Sequence, residues 1–178
     1  MKYFIDVVLL FFALPLFLFF YPIISLLILI FDGTPILYSQ LRVGLYGNEF
    51  KLYKFRTMSI LSDDSVHQNH YENLSENKKI EPSLTPDNPI RIENDDRITK
   101  VGNILRKTSL DELPNIINVL IGNMSFVGPR PLVKYESDLY GKYLEERNSV
   151  KPGITGLAQI QGRLDLSLQE RLYWDLQY

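Results

Sequence analysis

The sequence predicts an α+β chain, with a membrane-embedded helix over residues 1–32 and a small, mainly helical domain over residues 33–178 that carries a short hairpin. Three observations predict it. Between Phe4 and Phe31 the only charged residue is Asp6, in a run dominated by Leu, Ile and Phe. From Phe50 to Arg56 apolar and polar residues alternate, which is the period of a strand. From Leu113 to Leu120 apolar residues recur at helical spacing. A length of 178 residues suffices for one domain with a real core and hardly for two.

The apolar run exceeds the roughly 20 residues that cross a hydrocarbon core as a helix. It is too long for a signal-peptide core of about 7 to 15 residues, and no small-residue cleavage site follows it. Pro15 and Pro22 each remove a backbone hydrogen bond and favour a kink. Lys2 precedes the run, and Arg42, Lys51, Lys54 and Arg56 follow it. With basic residues on both sides, the positive-inside rule is better satisfied if both ends are cytoplasmic. The expectation is therefore a re-entrant helix that leaves by the face it entered; a single-pass span is the alternative. A lone acid in an apolar helix is costly and usually paired. For Asp6 a structural role is expected, with a basic residue near the membrane surface as its partner.

Asp32-Gly33-Thr34-Pro35 reads as a turn, Ile36 to Tyr38 as a short strand, and Leu45 to Glu49 as a hairpin turn. Alternation then puts Phe50, Leu52, Lys54 and Arg56 on one side and Lys51, Tyr53 and Phe55 on the other. Lys54 and Arg56 would thus share a face, as two cations beside carboxylates or phosphates. Residues 59–96 are polar, acidic and punctuated by Pro82, Pro86 and Pro89, and predict a mobile excursion. This stretch holds nine of the 21 acids and three of the 19 bases, so the rest of a chain of net charge -2 is net basic. Such a surface suits anionic lipid or phosphate. The basic residues are dispersed and carry no nucleic-acid motif, so no nucleic-acid partner is expected. The absence of cysteine excludes disulfides and thiolate metal sites. His67 and His70 lack a third ligand and read as solvated histidines. Asp95 and Asp96 are candidate metal ligands, and a capping role before a helix containing Val101, Ile104 and Leu105 explains them as well.

The stretch Arg106 to Pro131 organises the chemistry. Pro114 is tolerated only in a first helical turn, which places a helix start at about Ser109 to Asp111. Ser109 with Glu112 has capping-box spacing; Leu113, Ile116, Ile117 and Leu120 form an apolar face, and Gly122 is a stop. Asp111 and Glu112 sit between Arg106 and Lys107 on one side and Arg130, in the rigid Gly128-Pro129-Arg130-Pro131 turn, on the other. Acids at a helix start are ordinary dipole partners, and that reading stands as the alternative. Exposed backbone N–H groups with arginines also suit a phosphate. Two acids there repel it unless a divalent cation or the arginines intervene, which points to metal-assisted phosphoryl chemistry. Beyond this, Lys134 to Arg147 predicts a charged helix, and Lys151 to Gly156 a Gly-rich turn open to close backbone approach. Gly162-Arg163 places a cation at a loop. Ser167 and Glu170 form a second capping box, opening a helix with Leu168, Leu172 and Trp174.

Several strings carry a resemblance: Lys54-Phe55-Arg56-Thr57-Met58, Asp96-Arg97-Ile98-Thr99 with Gly102, Ser109-Leu110-Asp111-Glu112-Leu113-Pro114, Asn118-Val119-Leu120, Met124 to Leu132, and Lys151 to Gly156 running on to Gly162-Arg163. They span the chain in order, and together the sequence resembles a bacterial sugar transferase of the monotopic phosphoglycosyl transferase family. The resemblance implies a catalytic domain at the cytoplasmic face of the bacterial inner membrane. It implies transfer of a sugar 1-phosphate from a nucleotide diphosphate sugar, expected to be a UDP-sugar, to polyprenol (undecaprenyl) phosphate. It further implies Asp111 as nucleophile, forming an aspartyl phosphosugar, and as ligand of Mg2+. Glu112 would assist, and Lys54, Arg56, Arg106, Arg130 and Arg163 would bind phosphate and substrate. Spacing alone leaves Glu112 equally able to react, and a membrane-anchored scaffold that holds lipid phosphate without turnover is the alternative function. Relatives usually carry Ser-Pro where this chain has Tyr21-Pro22. They also commonly continue past the Asp-x-x-Tyr matched by Asp175 and Tyr178, with further membrane-resting segments.

Overall fold

A computed structural model describes residues 2–59, 97–162 and 165–178. They form an α+β chain with one long apolar helix and small helical parts joined to short strands. The described residues fall into two compact units. The first holds 2–40, 51–59 and 97–126; the second holds 41–50, 127–162 and 165–178.

In the first unit, helix α1 (Lys2–Phe31) runs 30 residues and continues through both Pro15 and Pro22. It is the one helix among the described residues long and apolar enough to cross a membrane. Most of its side chains are exposed, with Phe17, Ile24 and Ile28 buried along one flank. Ile24 and Ile28 pack with Phe55 and Leu105, and Tyr21, Ile36, Val101 and Leu113 close the cluster. Full burial of a side chain such as Phe55, 1% exposed, contributes up to about 3 kcal/mol. Tyr21 of the altered Tyr-Pro pair stacks on Phe55 with ring centroids 5.4 Å apart. Asp6 does have a structural role, but its partners are not basic: its Oδ1 accepts from the Ser125 hydroxyl at 2.8 Å and the Phe126 N–H at 3.0 Å.

Strands β1 (Leu37–Val43) and β2 (Glu49–Phe55) form the expected hairpin around a 3-10 turn at Leu45–Gly47. β1 is longer than the sequence predicts. Helix α2 (Lys100–Thr108) is capped by Thr99, whose hydroxyl accepts from the Gly102 N–H at 2.9 Å and donates to Asp32 Oδ2 at 2.8 Å. Asp95 and Asp96 lie outside the described residues, as do His67, His70 and nearly all of the 59–96 stretch. Gly102 packs on the Thr57 backbone so tightly that a Cβ would sit 2.1 Å from the Thr57 carbonyl oxygen.

The expected helix start at Ser109 to Asp111 is corrected. Ser109 ends α2 in a left-handed conformation (φ 60, ψ 16), a 3-10 turn covers Leu110–Glu112, and α3 (Asn115–Leu120) begins only after Pro114. The Ser109 side chain makes no cap hydrogen bond, because positive φ turns it out of the capping-box geometry. The apolar face differs as well: Ile116 and Val119 are buried while Leu120 is exposed. Gly122 does follow the end of this helix, with φ 84.

In the second unit, Leu132, Tyr140, Leu168 and Leu172 form the core. The predicted helix over 134–147 is broken into α4 (Lys134–Asp138), a 3-10 turn at Gly141–Tyr143 and α5 (Leu144–Arg147), with Gly141 at φ 49. β3 (Ser125–Val127) leads out of the first unit into this one. Beyond it the Gly128 N–H donates to the Thr155 carbonyl of β4 (Gly153–Thr155) at 2.8 Å, and the Gly153 N–H donates to Pro129 at 2.9 Å. The close approach that the Gly-rich turn permits is made to backbone: a Cβ on Gly153 would lie 2.1 Å from Gly128 N. α6 (Leu157–Gln161) follows, and α7 (Leu168–Leu176) opens with the predicted Ser167–Glu170 capping box.

Candidate active site

In the first unit, the string from Lys54 to Met58 distributes its side chains among separate tasks. Lys54 Nζ donates to Glu112 Oε1 at 2.7 Å, with side-chain exposures of 15% and 13%. Phe55 enters the core. β2 ends there, and Arg56 takes partners other than those of Lys54. Its guanidinium donates to the carbonyls of Asp32 (2.6 Å), Gly33 (2.8 Å) and Thr34 (2.9 Å). These carbonyls follow α1, where a cation also complements the helix dipole. The Thr57 hydroxyl accepts from Arg106 Nε at 2.9 Å, and its carbonyl accepts from the Thr99 N–H at 3.0 Å. Met58 bridges to Ile98.

Asp111 and Glu112 thus lie half-buried on a 3-10 turn between two helices, a turn that begins with Leu110 immediately after positive-φ Ser109. A left-handed non-glycine residue costs on the order of 1–2 kcal/mol and is held only where its surroundings dictate it. Glu112 is neutralised by Lys54. Arg106, one turn back on α2, is exposed and fixed through its Nε to Thr57.

Sequence reasoning quoted Asn118 within a matching string but missed its task, which is to tie α3 to β2. Asn118, 0% exposed, donates through Nδ2 to the Lys51 carbonyl at 2.7 Å and accepts the Tyr53 N–H on Oδ1 at 3.2 Å. Residues 51 and 53 present these groups at one strand edge, and a side-chain amide can answer both, as a neighbouring peptide would. A signal existed: an Asn among apolar helix positions that is buried must find partners.

Arg130 belongs to the second unit, half-buried, with its carbonyl accepting from Arg147 at 2.7 Å. Arg147 is itself buried and pairs with Asp175 Oδ2 at 2.9 and 2.7 Å. The Asp-x-x-Tyr pair is therefore structural in this unit: Asp175 holds Arg147, and the Tyr178 hydroxyl donates to the Val127 carbonyl at 2.7 Å. The Tyr140 hydroxyl accepts from Arg171 Nε at 3.2 Å; burial pushes its pKa up, opposed by Arg171 and Arg147. Arg163 lies outside the described residues.

Residues 1–178 match the family model described as bacterial sugar transferase. The chain belongs to the bacterial sugar transferase family. Among relatives, exopolysaccharide production protein ExoY of Rhizobium meliloti is 40% identical over 174 residues, covering 92% of this chain and 68% of that protein. The UDP-galactose-lipid carrier transferase of Erwinia amylovora is 41% identical over 160 residues, covering 86% and 32%. The undecaprenyl-phosphate galactose phosphotransferase of Salmonella typhimurium is 42% identical over 147 residues, covering 83% and 30%. The chain thus spans about a third of the length of the latter two. An exposed apolar helix in a bacterial sugar transferase makes this a membrane-associated protein.

Proposed function

We propose that this bacterial sugar transferase moves a sugar 1-phosphate from a UDP-sugar to polyprenol (undecaprenyl) phosphate through a covalent intermediate on Asp111, an early membrane step in glycan or exopolysaccharide assembly. The observation that carries the reading is the Lys54–Glu112 ion pair, which neutralises one carboxylate of the adjacent pair on the strained turn after Ser109. Relatives named as UDP-galactose-lipid carrier transferase and undecaprenyl-phosphate galactose phosphotransferase support the donor and acceptor classes.

In the first step a carboxylate oxygen of Asp111 attacks the sugar-bearing phosphorus, the bond to the bridging oxygen breaks, and UMP leaves with that electron pair. In the second, an oxygen of polyprenol phosphate attacks the same phosphorus, and the Asp111 carboxylate is released. A carboxylate nucleophile carries no proton to remove and needs no general base. The difficulty is charge, since nucleophile and donor are both anionic. Arg106, near the end of α2 in the same unit as Asp111, would act on phosphate oxygens. Lys54 is fixed on Glu112, and Arg56 fixes the turn behind β2.

Among the described residues no three metal-ligating side chains cluster. Mg2+ held by one or two carboxylates together with substrate phosphates needs no such cage, and Asp111 beside the Lys54-bound Glu112 suits that mode. The ion would supply further neutralisation of phosphate charge.

The two ends of α1 support a non-spanning helix, and with it we place the site at the cytoplasmic face of the inner membrane as part of the proposal. Asp6 bonds Ser125 and Phe126, Asp32 bonds Thr99, and all belong to the first unit. At 1.5 Å per residue those ends are roughly 39 Å apart along a straight helix, more than the hydrocarbon core of about 30 Å. A spanning helix would place Ser125 and Thr99 on opposite sides of the bilayer. A re-entrant helix leaves both on one side.

The test is turnover: purified chain in lipid nanodiscs, a panel of UDP-sugars and Mg2+, with released UMP measured for wild type and Asp111→Asn. UMP from one donor with wild type and none with Asp111→Asn supports the proposal. No UMP from any donor, even with polyprenol phosphate added, overturns it.

A further inference from the structure

Asp6 is the one acid in the apolar run from Phe4 to Phe31, and the reaction proposed above gives it nothing to do. A carboxylate inside an apolar helix opposes burial in lipid unless it is partnered, so its partners disclose its role. Those partners are a hydroxyl and a backbone N–H on adjacent residues, Ser125 (2.8 Å) and Phe126 (3.0 Å), both converging on Oδ1. Ser125 is 1% exposed, so the Asp6 end of α1 is docked on packed protein. The opposite end is docked independently, through Asp32 to Thr99 and through the Arg56 guanidinium on the carbonyls of residues 32–34. Between them the helix is apolar, long enough to cross, and mostly exposed. Hydropathy alone therefore favours a spanning helix, and the attachments at its two ends oppose it.

We propose that Asp6 is a topological latch: its hydrogen bonds to Ser125 and Phe126 hold the N-terminal end of α1 on the same side of the bilayer as Asp32, and their loss lets the helix cross. The inference rests on the non-spanning reading of α1. It assigns to this chain's own acid the work of excluding the spanning arrangement, since a carboxylate docked on Ser125 and Phe126 would have to leave both to cross. Substitution by leucine removes the acceptor and raises the apolarity of the run at once. Substitution by asparagine keeps a neutral acceptor at the same position.

The chain has no cysteine, so single reporters are clean. Lys2→Cys marks the N-terminal end, and Lys100→Cys, exposed at the start of α2, marks the Thr99 end. The chain is expressed in bacterial membranes, and sealed vesicles of both orientations are labelled with a membrane-impermeant maleimide. With Asp6 intact both reporters label from the same face. In Asp6→Leu, labelling of position 2 from the opposite face rises at least fivefold while position 100 does not move; Asp6→Asn keeps the original pattern. If Asp6→Leu fails to accumulate, Ser125→Ala combined with Asp6→Asn weakens the same latch and is expected to show the same rise in smaller measure. Reporters on one face in every background overturn the latch and leave the non-spanning reading standing. Reporters on opposite faces with Asp6 intact overturn that reading and the latch with it.

Discussion

Replacing Asn118 with alanine removes both groups that answer the edge of β2. The Lys51 carbonyl and the Tyr53 N–H lose partners at 2.7 and 3.2 Å, in a place where Asn118 itself is 0% exposed. Each buried polar group left unsatisfied costs roughly 1–3 kcal/mol. Two such groups, with some relief from water entering the vacated space, give a loss of about 3 kcal/mol. For a chain of this length that corresponds to roughly 6–12 °C in Tm. Asn118→Asp discriminates the mechanism: it keeps the acceptor for Tyr53 but sets an oxygen against the Lys51 carbonyl, so it should destabilise too. The assay is thermal unfolding in detergent, with UMP release measured below the transition. Because α3 follows the turn that carries Glu112 and Asn118 ties it to the strand that carries Lys54, turnover should fall in both variants while they are still folded. A loss under 1 kcal/mol for Asn118→Ala, or an Asn118→Asp variant as stable as wild type, would refute the reasoning.

Three further outcomes follow from the packing. Gly102→Ala drives a Cβ to 2.1 Å from the Thr57 carbonyl, a backbone atom with nowhere to go, and should cost about 3 kcal/mol by thermal unfolding. Asp175→Ala leaves buried Arg147 without its carboxylate and should cost about 3–5 kcal/mol, whereas truncating the exposed Lys134–Asp138 pair by Asp138→Ala should cost under 1. Tyr140 holds its proton more tightly folded than unfolded. That stabilisation is complete below about pH 10 and is lost as pH rises through the folded pKa, so Tyr140→Phe should flatten the alkaline fall in stability. At neutral pH the same variant loses the acceptor for Arg171, worth about 1 kcal/mol in chemical denaturation.

What the sequence displayed, it displayed through periodicity and composition. α1 was legible as an apolar run interrupted only by Asp6, the hairpin as alternation around a turn, and the start of α7 as a capping box whose two partners lie three residues apart. The Ser109–Glu112 spacing is identical in kind yet builds no cap. α2 arrives at Ser109 from the other side and ends there, and a residue closing one helix in a left-handed conformation cannot cap the next. Local pattern does not reveal which of two competing helices owns a residue. The predicted helix over 134–147 failed for a related reason, since its charges suit a helix but Gly141 takes a positive φ and divides it. At the candidate site, residue types located Asp111, Glu112 and Lys54. Asn118, the Thr57–Arg106 bond and the Arg56 grip on the turn after α1 depend on contacts across 22 to 67 residues of sequence, which no local period encodes. Asp6 was conspicuous as an acid out of place, but its neutral partners 119 and 120 residues away were not.

The most direct test of the central proposal is to map the covalent intermediate. Wild-type protein is incubated with Mg2+ and the UDP-sugar that yields UMP, without lipid acceptor, then digested and sequenced by mass spectrometry. A sugar-phosphate mass on Asp111, absent from Asp111→Asn and discharged by polyprenol phosphate, is the predicted result. The same mass on Glu112, or UMP release with no adduct on either carboxylate, would contradict it.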